Sequence, residues 1–292
     1  MIAELASFNI SVTDQSPLFQ YLPYRDGPLD TSWNVSYSAN SPQEWAPDKF
    51  FRTSESSHTT YLNGASVQIE WTGTAFWLYG SADPGSYEIQ VDGDQHTVGD
   101  GATDSILFGQ TDLPYGWHSV NLTVVDAPVS ITGATLTVRM GEEGSELQSR
   151  NISTVTNSIP PAANPLFLSD GDAWSVNSSY GSFGPTVESY PRVTTDVKAA
   201  SLFFTLNSTV GFAIYGSCDF DMGSYNVTIN PPPPISPATG TFNASSHWIA
   251  LNEIKYVATG LDRTKNYSVT VTNNQEARLD VAQVMVFDAV PA

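Results

Sequence analysis

Cysteine is nearly missing from this sequence: Cys218 is the single one in 292 residues. An intramolecular disulfide and a multi-cysteine metal site are both excluded. Positive charge is scarce too, with 11 Lys and Arg against 30 Asp and Glu and a formal net charge of -19. So acidic a chain repels phosphate backbones and anionic lipid heads, which argues against nucleic acid and leaves neutral sugars, cations or a basic partner. Histidine is limited to His58, His96, His118 and His247, with no His-Glu-x-x-His spacing and no Gly-x-Ser-x-Gly elbow. Zinc hydrolysis and serine-nucleophile chemistry therefore lack their usual residues. His118, beside Trp117 in an alternating stretch, reads as a core or edge histidine. No run of eighteen apolar residues occurs, so no membrane-spanning helix is expected, and no segment holds a 3.6-residue apolar period over ten residues. Met1-Ile2-Ala3-Glu4 has neither the basic start nor the apolar core of a signal peptide, as in a mature form with an added Met.

Strand patterns are what is present. Ser66–Trp71, Tyr87–Val91 and His118–Val124 alternate apolar and polar residues, as do Leu202–Leu206, Tyr225–Ile229 and Tyr267–Val271. Apolar residues at 40% and aromatics at 12% are enough to fill packed cores. The fold class expected is all-β.

One phrase occurs twice. Leu78–Gly93 reads LYGSADPGSYEIQVDG and Ile214–Asn230 reads IYGSCDFDMGSYNVTIN. Further landmarks recur in the same order: Asp26-Gly27 with Trp33, against Asp170-Gly171 with Trp174; Ala65–Glu70 against Ala200–Thr205; Leu113–Val125 against Leu261–Thr272; and Ala134–Val138 against Ala282–Phe287. Matched landmarks in one order mark a duplicated domain. Composition then places a first domain at 1–145, an acidic and Pro-rich linker at 146–164, and a second domain at 165–292. Each copy should hold seven or eight strands, the size of an antiparallel sandwich. Pro231–Pro234 reads as a loop insertion of the second copy, since four prolines cannot join a sheet.

The Tyr-Gly-Ser turn, the Gly-Ser-Tyr-x-[Val/Ile]-x-[Val/Ile] strand and Gly116-Trp117-His118-Ser119-Val120-Asn121-Leu122 together resemble the galactose-binding-domain-like jelly rolls. The similarity is greatest to tandem copies in secreted or surface-anchored proteins of mushroom-forming fungi. It implies two tandem β-sandwich domains of a type that often binds carbohydrate at one rim.

Candidate residues follow from chemistry that sugars require. Apolar sugar faces stack on exposed rings while neighbouring polar groups bond the hydroxyls. Trp45, with Glu44 beside it in a Pro-flanked loop, and Tyr180 in the corresponding loop of the second copy are the aromatic candidates. Asp83 and Asp219, shared by the repeated phrase, are expected as turn-closing acceptors or as rim contacts to sugar. Trp33 and Trp174 recur in place and read as core. Asp170-Gly171-Asp172 and Asp92-Gly93-Asp94 put hard oxygen ligands around tight turns, which suits a structural calcium; no cofactor is otherwise required. Nine asparagines lie in Asn-x-Ser/Thr: Asn9, Asn34, Asn121, Asn151, Asn177, Asn207, Asn226, Asn243 and Asn266. Chance would give about four, so a glycosylated and secreted or cell-surface protein is expected. The functional expectation is a carbohydrate-binding recognition protein. Two alternatives stay open: a glycoside hydrolase using carboxylates such as Glu44, Glu55, Glu70 and Glu188 near the cleft between copies, and a structural spacer.

Overall fold

A computed structural model describes residues 6–38, 55–94, 96–126, 128–179 and 189–291. The first copy consists of β1 (Ala6–Thr13), β2 (Gln20–Leu22), β3 (Asn34–Tyr37), β4 (Ser56–Thr60), β5 (Ser66–Gly73), β6 (Ala75–Ala82), β7 (Tyr87–Val91), β8 (Thr97–Val98), β9 (Ile106–Gln110), β10 (Gly116–Val124) and β11 (Val129–Met140). The second consists of β12 (Ser145–Ser153), β13 (Leu168–Ser169), β14 (Ser175–Ser179), β15 (Ser189–Thr195), β16 (Ser201–Leu206), β17 (Gly211–Cys218), β18 (Ser224–Asn230), β19 (Thr239–Asn243), β20 (Ala250–Thr259), β21 (Tyr267–Asn273), β22 (Leu279–Val281) and β23 (Gln283–Pro291). Among the described residues the only helical element is a 3-10 turn at Gly171–Ala173.

Each copy is a sandwich of antiparallel sheets. In the first, β3-β4-β11-β6-β9, with β1 also on β11, faces β2-β5-β10-β7-β8. The second repeats the scheme as β13-β16-β21-β18-β19 opposite β12-β23-β17-β20 and β14-β15-β22. Strand for strand the topologies coincide; β22 and β23 together do what β11 does alone. Where β22 breaks from β23, β11 carries a bulge between Ile131 and Gly133. The repeated phrase sits against that irregularity. A side chain at Gly80 would collide with the backbone of Ser130, and one at Gly216 would lie 2.6 Å from Asp280 Oδ1. Glycine is required because β6 and β17 pass so close beneath the bulge. The second tyrosine of the phrase is buried in both copies: Tyr87 donates to Leu107 O at 2.5 Å, Tyr225 to Lys255 O at 2.7 Å.

Two boundaries differ from the sequence expectation. Residues 146–164 are not a linker: β12 pairs with β23 from Ser145↔Pro291 to Ser153↔Gln283 and is the first strand of the second sandwich. It is a largely exposed edge strand, so its polar sequence lacks the alternation that marks the others. The crossing between copies shrinks to Gly141–Gly144. Short edge strands raise the count above seven or eight per copy.

The copies are docked. The first core includes Val210, Ala213, Ile254, Phe287 and Ala289 of the second. Val35 and Tyr37 form a smaller cluster with Trp248 and Ile249, and Trp248 Nε1 donates to Val35 O at 3.1 Å. Ser16 Oγ donates to Ile254 O at 2.5 Å, and the His247 amide donates to Asp26 Oδ2 at 3.0 Å.

Candidate functional site

Strand register brings together what the linear sequence separates. In β5, β7 and β10 the even-numbered or odd-numbered apolar side chains Val67, Ile69, Tyr87, Ile89, Val120 and Leu122 are buried, so their neighbours face out. Across that outer face Gln20 pairs with Gln68, Gln68 with Asn121, and Asn121 with Gln90. Four carboxamides thus lie in one row over β2, β5, β10 and β7, about 14 Å long at the usual strand spacing. Gln68 Nε2 donates to Glu70 Oε1 at 3.2 Å, Asn121 Nδ2 to Thr123 Oγ1 at 3.3 Å and Gln90 Nε2 to Asp94 O at 2.9 Å, which orients the amides along the sheet.

The next level holds Glu70 opposite Ser119, and the one beyond it Thr72 opposite Trp117. Trp117 is 39% exposed, a large ring at the open end of a polar grid. The second copy walls this end. Thr72 Oγ1 meets Ser236 Oγ at 2.5 Å, and Pro237, Thr239 and Thr241 border a small cavity with Gln20, Glu70 and Trp117. The segment that follows Pro231–Pro234, from Ser236 into β19, therefore buttresses this end.

His118 sits beneath this grid on the core side. Its Nδ1 lies 2.7 Å from Asp92 Oδ2 and its Nε2 2.7 Å from Pro114 O, so both nitrogens are spent on structure. Asp92 also accepts from the Ser119 amide at 2.8 Å, in a turn where Asp92 and Gly93 both take positive φ. That turn anchors β10 and offers one acid fewer to a metal.

The remaining sequence candidates fall elsewhere. Glu44, Trp45 and Tyr180 lie outside the described residues, as does Glu188. Asp83 is exposed, and its backbone carbonyl accepts from the Ser86 amide and hydroxyl, a turn-closing arrangement. Asp219 is no rim contact: it is 2% exposed, its Oδ1 accepts from the Phe220 amide at 2.7 Å, and Arg278 Nη2 reaches Oδ2 at 2.5 Å. The longer turn of the second copy folds that carboxylate inward onto an arginine. Asp170 Oδ2 accepts from the Ser201 amide at 3.0 Å while Asp172 points to solvent. Among the described residues no group of three or more His, Cys, Asp or Glu is placed to hold a metal ion. Of the nine sequon asparagines none is buried; Asn9, Asn151, Asn207, Asn243 and Asn266 are exposed. Trp33 is buried and Trp174 packs against the second core.

The carboxamide row was within reach of the sequence, because Gln68, Gln90 and Asn121 are the outward positions of three alternating strands. What was missing was the register that aligns them. In the second copy the same places hold Leu168, Phe203, Thr270 and Thr228. The grid belongs to the first copy alone.

The sequence matches no protein family and no curated protein. Among solved structures it is similar to the tandem CBM22-1–CBM22-2 domain of Paenibacillus barcinonensis Xyn10C, at 10% identity and a TM-score of 0.29, covering 99% of both chains. It is also similar to a fucolectin from striped bass (Morone saxatilis) serum, at 10% identity and a TM-score of 0.26, covering 97% of this chain and 100% of that one. A third is a Paenibacillus xanthan lyase, at 10% identity and a TM-score of 0.30, of whose length the chain spans 25% while 88% of the chain is covered. Scores this low assign no ligand, which has to come from the chemistry of the site itself.

Proposed function

We propose that the protein binds a neutral carbohydrate across the outer face of β2-β5-β10-β7, with Trp117 stacking on a sugar ring and the carboxamide row bonding hydroxyls. The observation that carries this reading is the alignment of Gln20, Gln68, Asn121 and Gln90 on one solvent-facing row, with an exposed Trp two levels away. Amides both donate and accept, as sugar hydroxyls do, and carry no charge that would demand an ionic ligand. Exchanging Trp117 for Ala should weaken binding of the preferred glycan about tenfold, about 1.4 kcal/mol, in isothermal titration. Unchanged affinity would sink the reading.

Cleavage on this face is disfavoured by distance. Glu70 on β5 and Glu88 on β7 are two strands apart and four residue levels out of step, since Glu70 opposes Ser119 and Glu88 opposes Thr123. Standard spacings put them about 16 Å apart, beyond the roughly 5–9.5 Å of paired glycosidase carboxylates.

The nine accessible sequons support secretion and N-glycosylation as part of the same proposal. They also set a condition, because Asn121 is a sequon residue in the middle of the proposed face. In protein secreted from a eukaryotic host, peptide mass spectrometry should find glycans at exposed sites such as Asn9, Asn151 and Asn266 and an unmodified Asn121. Full occupancy of Asn121 would cover the row and rule out this face.

A further inference from the structure

Beside the sheet face, a cavity of about 500 Å³ lies between the copies, with β2 and the turn after it on one side and β19 on the other. Its volume falls within the usual range of small-molecule sites. Gln20, Thr241 and Phe242 line it, and the same three line the smaller cavity that holds Glu70 and Trp117. The two cavities are therefore parts of one cleft, with Trp117 towards one end and Leu22 and Tyr24 towards the other. Trp117 stands level with Thr72 and Leu22 with Ser66, six residues along the sheet and two strands apart, so the two ends are about 22 Å from each other at standard spacings.

The lining of this cleft suits a sugar chain. Gln20 is exposed, and it is the one carboxamide of the row whose side chain makes no hydrogen bond among the described residues. Its donors and its acceptor are open where the two cavities meet. Tyr24 is 68% exposed, and neither its ring nor its hydroxyl has a partner among the described residues. Leu22 is 56% exposed, so the far end offers apolar surface flanked by the hydroxyls of Ser224, Thr241 and Ser245. An open ring among neutral donors and acceptors is what the two faces of a sugar require. The charged groups of the lining are already engaged: Arg25 Nη2 donates to Gln15 O, Asp26 Oδ2 accepts the His247 amide and Glu70 Oε1 accepts from Gln68.

We propose that the glycan of the sheet face is a linear neutral chain read along its length, which continues from Trp117 past Gln20 into this cleft, where Tyr24 stacks on a further sugar. The proposal rests on the sheet-face reading and deepens it, because it fixes the ligand as an extended polysaccharide segment and not a terminal mono- or disaccharide. Gln20 bonds hydroxyls midway, and Thr241 and Ser245 bond those beyond it. Both copies line the cleft, so the docked tandem is itself part of the site.

The test is isothermal titration of the whole chain, produced without N-glycosylation, with laminaritriose and laminarihexaose and with the cello-, xylo- and manno- pairs of the same lengths. Tyr24 is exposed and holds the Trp33 amide through its backbone carbonyl, so Tyr24→Ala removes the ring without touching a core; Tyr24→Phe keeps the ring. In at least one series the hexaose should bind about tenfold tighter than the triose. Tyr24→Ala should remove that gain and leave triose binding unchanged, Tyr24→Phe should keep most of it, and Trp117→Ala should weaken both lengths. Equal affinity for the two lengths, or a hexaose gain that survives Tyr24→Ala, overturns the cleft; both lengths weakened by Trp117→Ala in that case keep the sheet-face reading. Hexaose binding indifferent to Trp117→Ala, or no binding of any probe, overturns the sheet-face reading and the cleft with it. Asn243 lines the cleft and is a sequon residue, so full glycan occupancy there in secreted protein would also overturn the proposal.

Discussion

Replacing Asp280 by alanine is expected to lower the unfolding free energy by about 3–5 kcal/mol. Asp280 is fully buried, with Lys255 Nζ at 2.8 Å, Arg192 Nε at 3.1 Å and the Ser217 amide at 2.8 Å. Both cations are buried as well. Burial alone would raise the Asp280 carboxyl, yet Lys255 and Ser217 hold it below the usual carboxylate value. Because the folded value is depressed, the stabilisation is present above the unfolded value of about 3.9 and is lost as pH falls through the folded one. Alanine leaves two cations in the interior without their anion. Urea unfolding of the variant reads the loss directly, and a change below about 1 kcal/mol would mean the triad is idle. The first copy shows that the fold does not need the ions: Leu107 stands where Lys255 does, and Ser130 where Asp280 does. Exchanging Arg192, Lys255 and Asp280 together for Met, Leu and Leu should therefore recover most of the stability that Asp280→Ala removes.

Much of this architecture was readable in advance because its signals are local. Alternation at Tyr87–Val91 and Tyr225–Ile229 identifies strands, and two copies of Tyr-Gly-Ser identify a duplicated fold. The edge strand β12 was not readable: with both faces near solvent, Ser145–Ser153 carries no burial period and passes for a linker. Lys255 and Asp280 did leave a trace, each a lone charge inside an apolar stretch, Ile254-Lys255-Tyr256-Val257 and Leu279-Asp280-Val281-Ala282. A charge so placed must find a buried partner, but which one depends on the break between β22 and β23. The shared aspartate shows the same limit. Asp83 and Asp219 occupy one place in the repeat and both backbone carbonyls close a turn, accepting the Ser86 and Met222 amides, but with the longer turn of the second copy the Asp219 carboxylate is buried against Arg278 while Asp83 stays exposed.

A second buried network predicts how stability changes on the alkaline side. His58 is fully buried in β4, with Nδ1 2.7 Å from Asp14 Oδ2, Nε2 3.7 Å from Asp26 Oδ1 and its ring stacked on Tyr21 at 4.3 Å. Burial alone would lower the imidazole, but hydrogen bonds and charge from Asp14 and Asp26 raise it above its ordinary value. A raised folded value means that the stabilisation is fully present below about 6.5 and disappears as pH rises through the folded value. Asp26 is the one that also accepts the His247 amide, and the neighbouring Gln15 accepts from Ser246 and from Cys218 Sγ, so this network braces the contact between copies. Urea midpoints measured from pH 6 to pH 9 should therefore fall. His58→Val alone should cost about 3 kcal/mol at pH 6, because it leaves the Asp14 carboxylate buried without the imidazolium it is hydrogen-bonded to. The second copy again supplies the control, since Thr154 and Val193 stand where Asp14 and His58 do. Asp14→Thr with His58→Val should restore much of that loss and flatten the pH profile, because Asp26 keeps the His247 amide and nearby Arg25. A double variant whose midpoint falls with pH as steeply as before would place the titrating group elsewhere. The pair would then be a packing element with no part in holding the copies together.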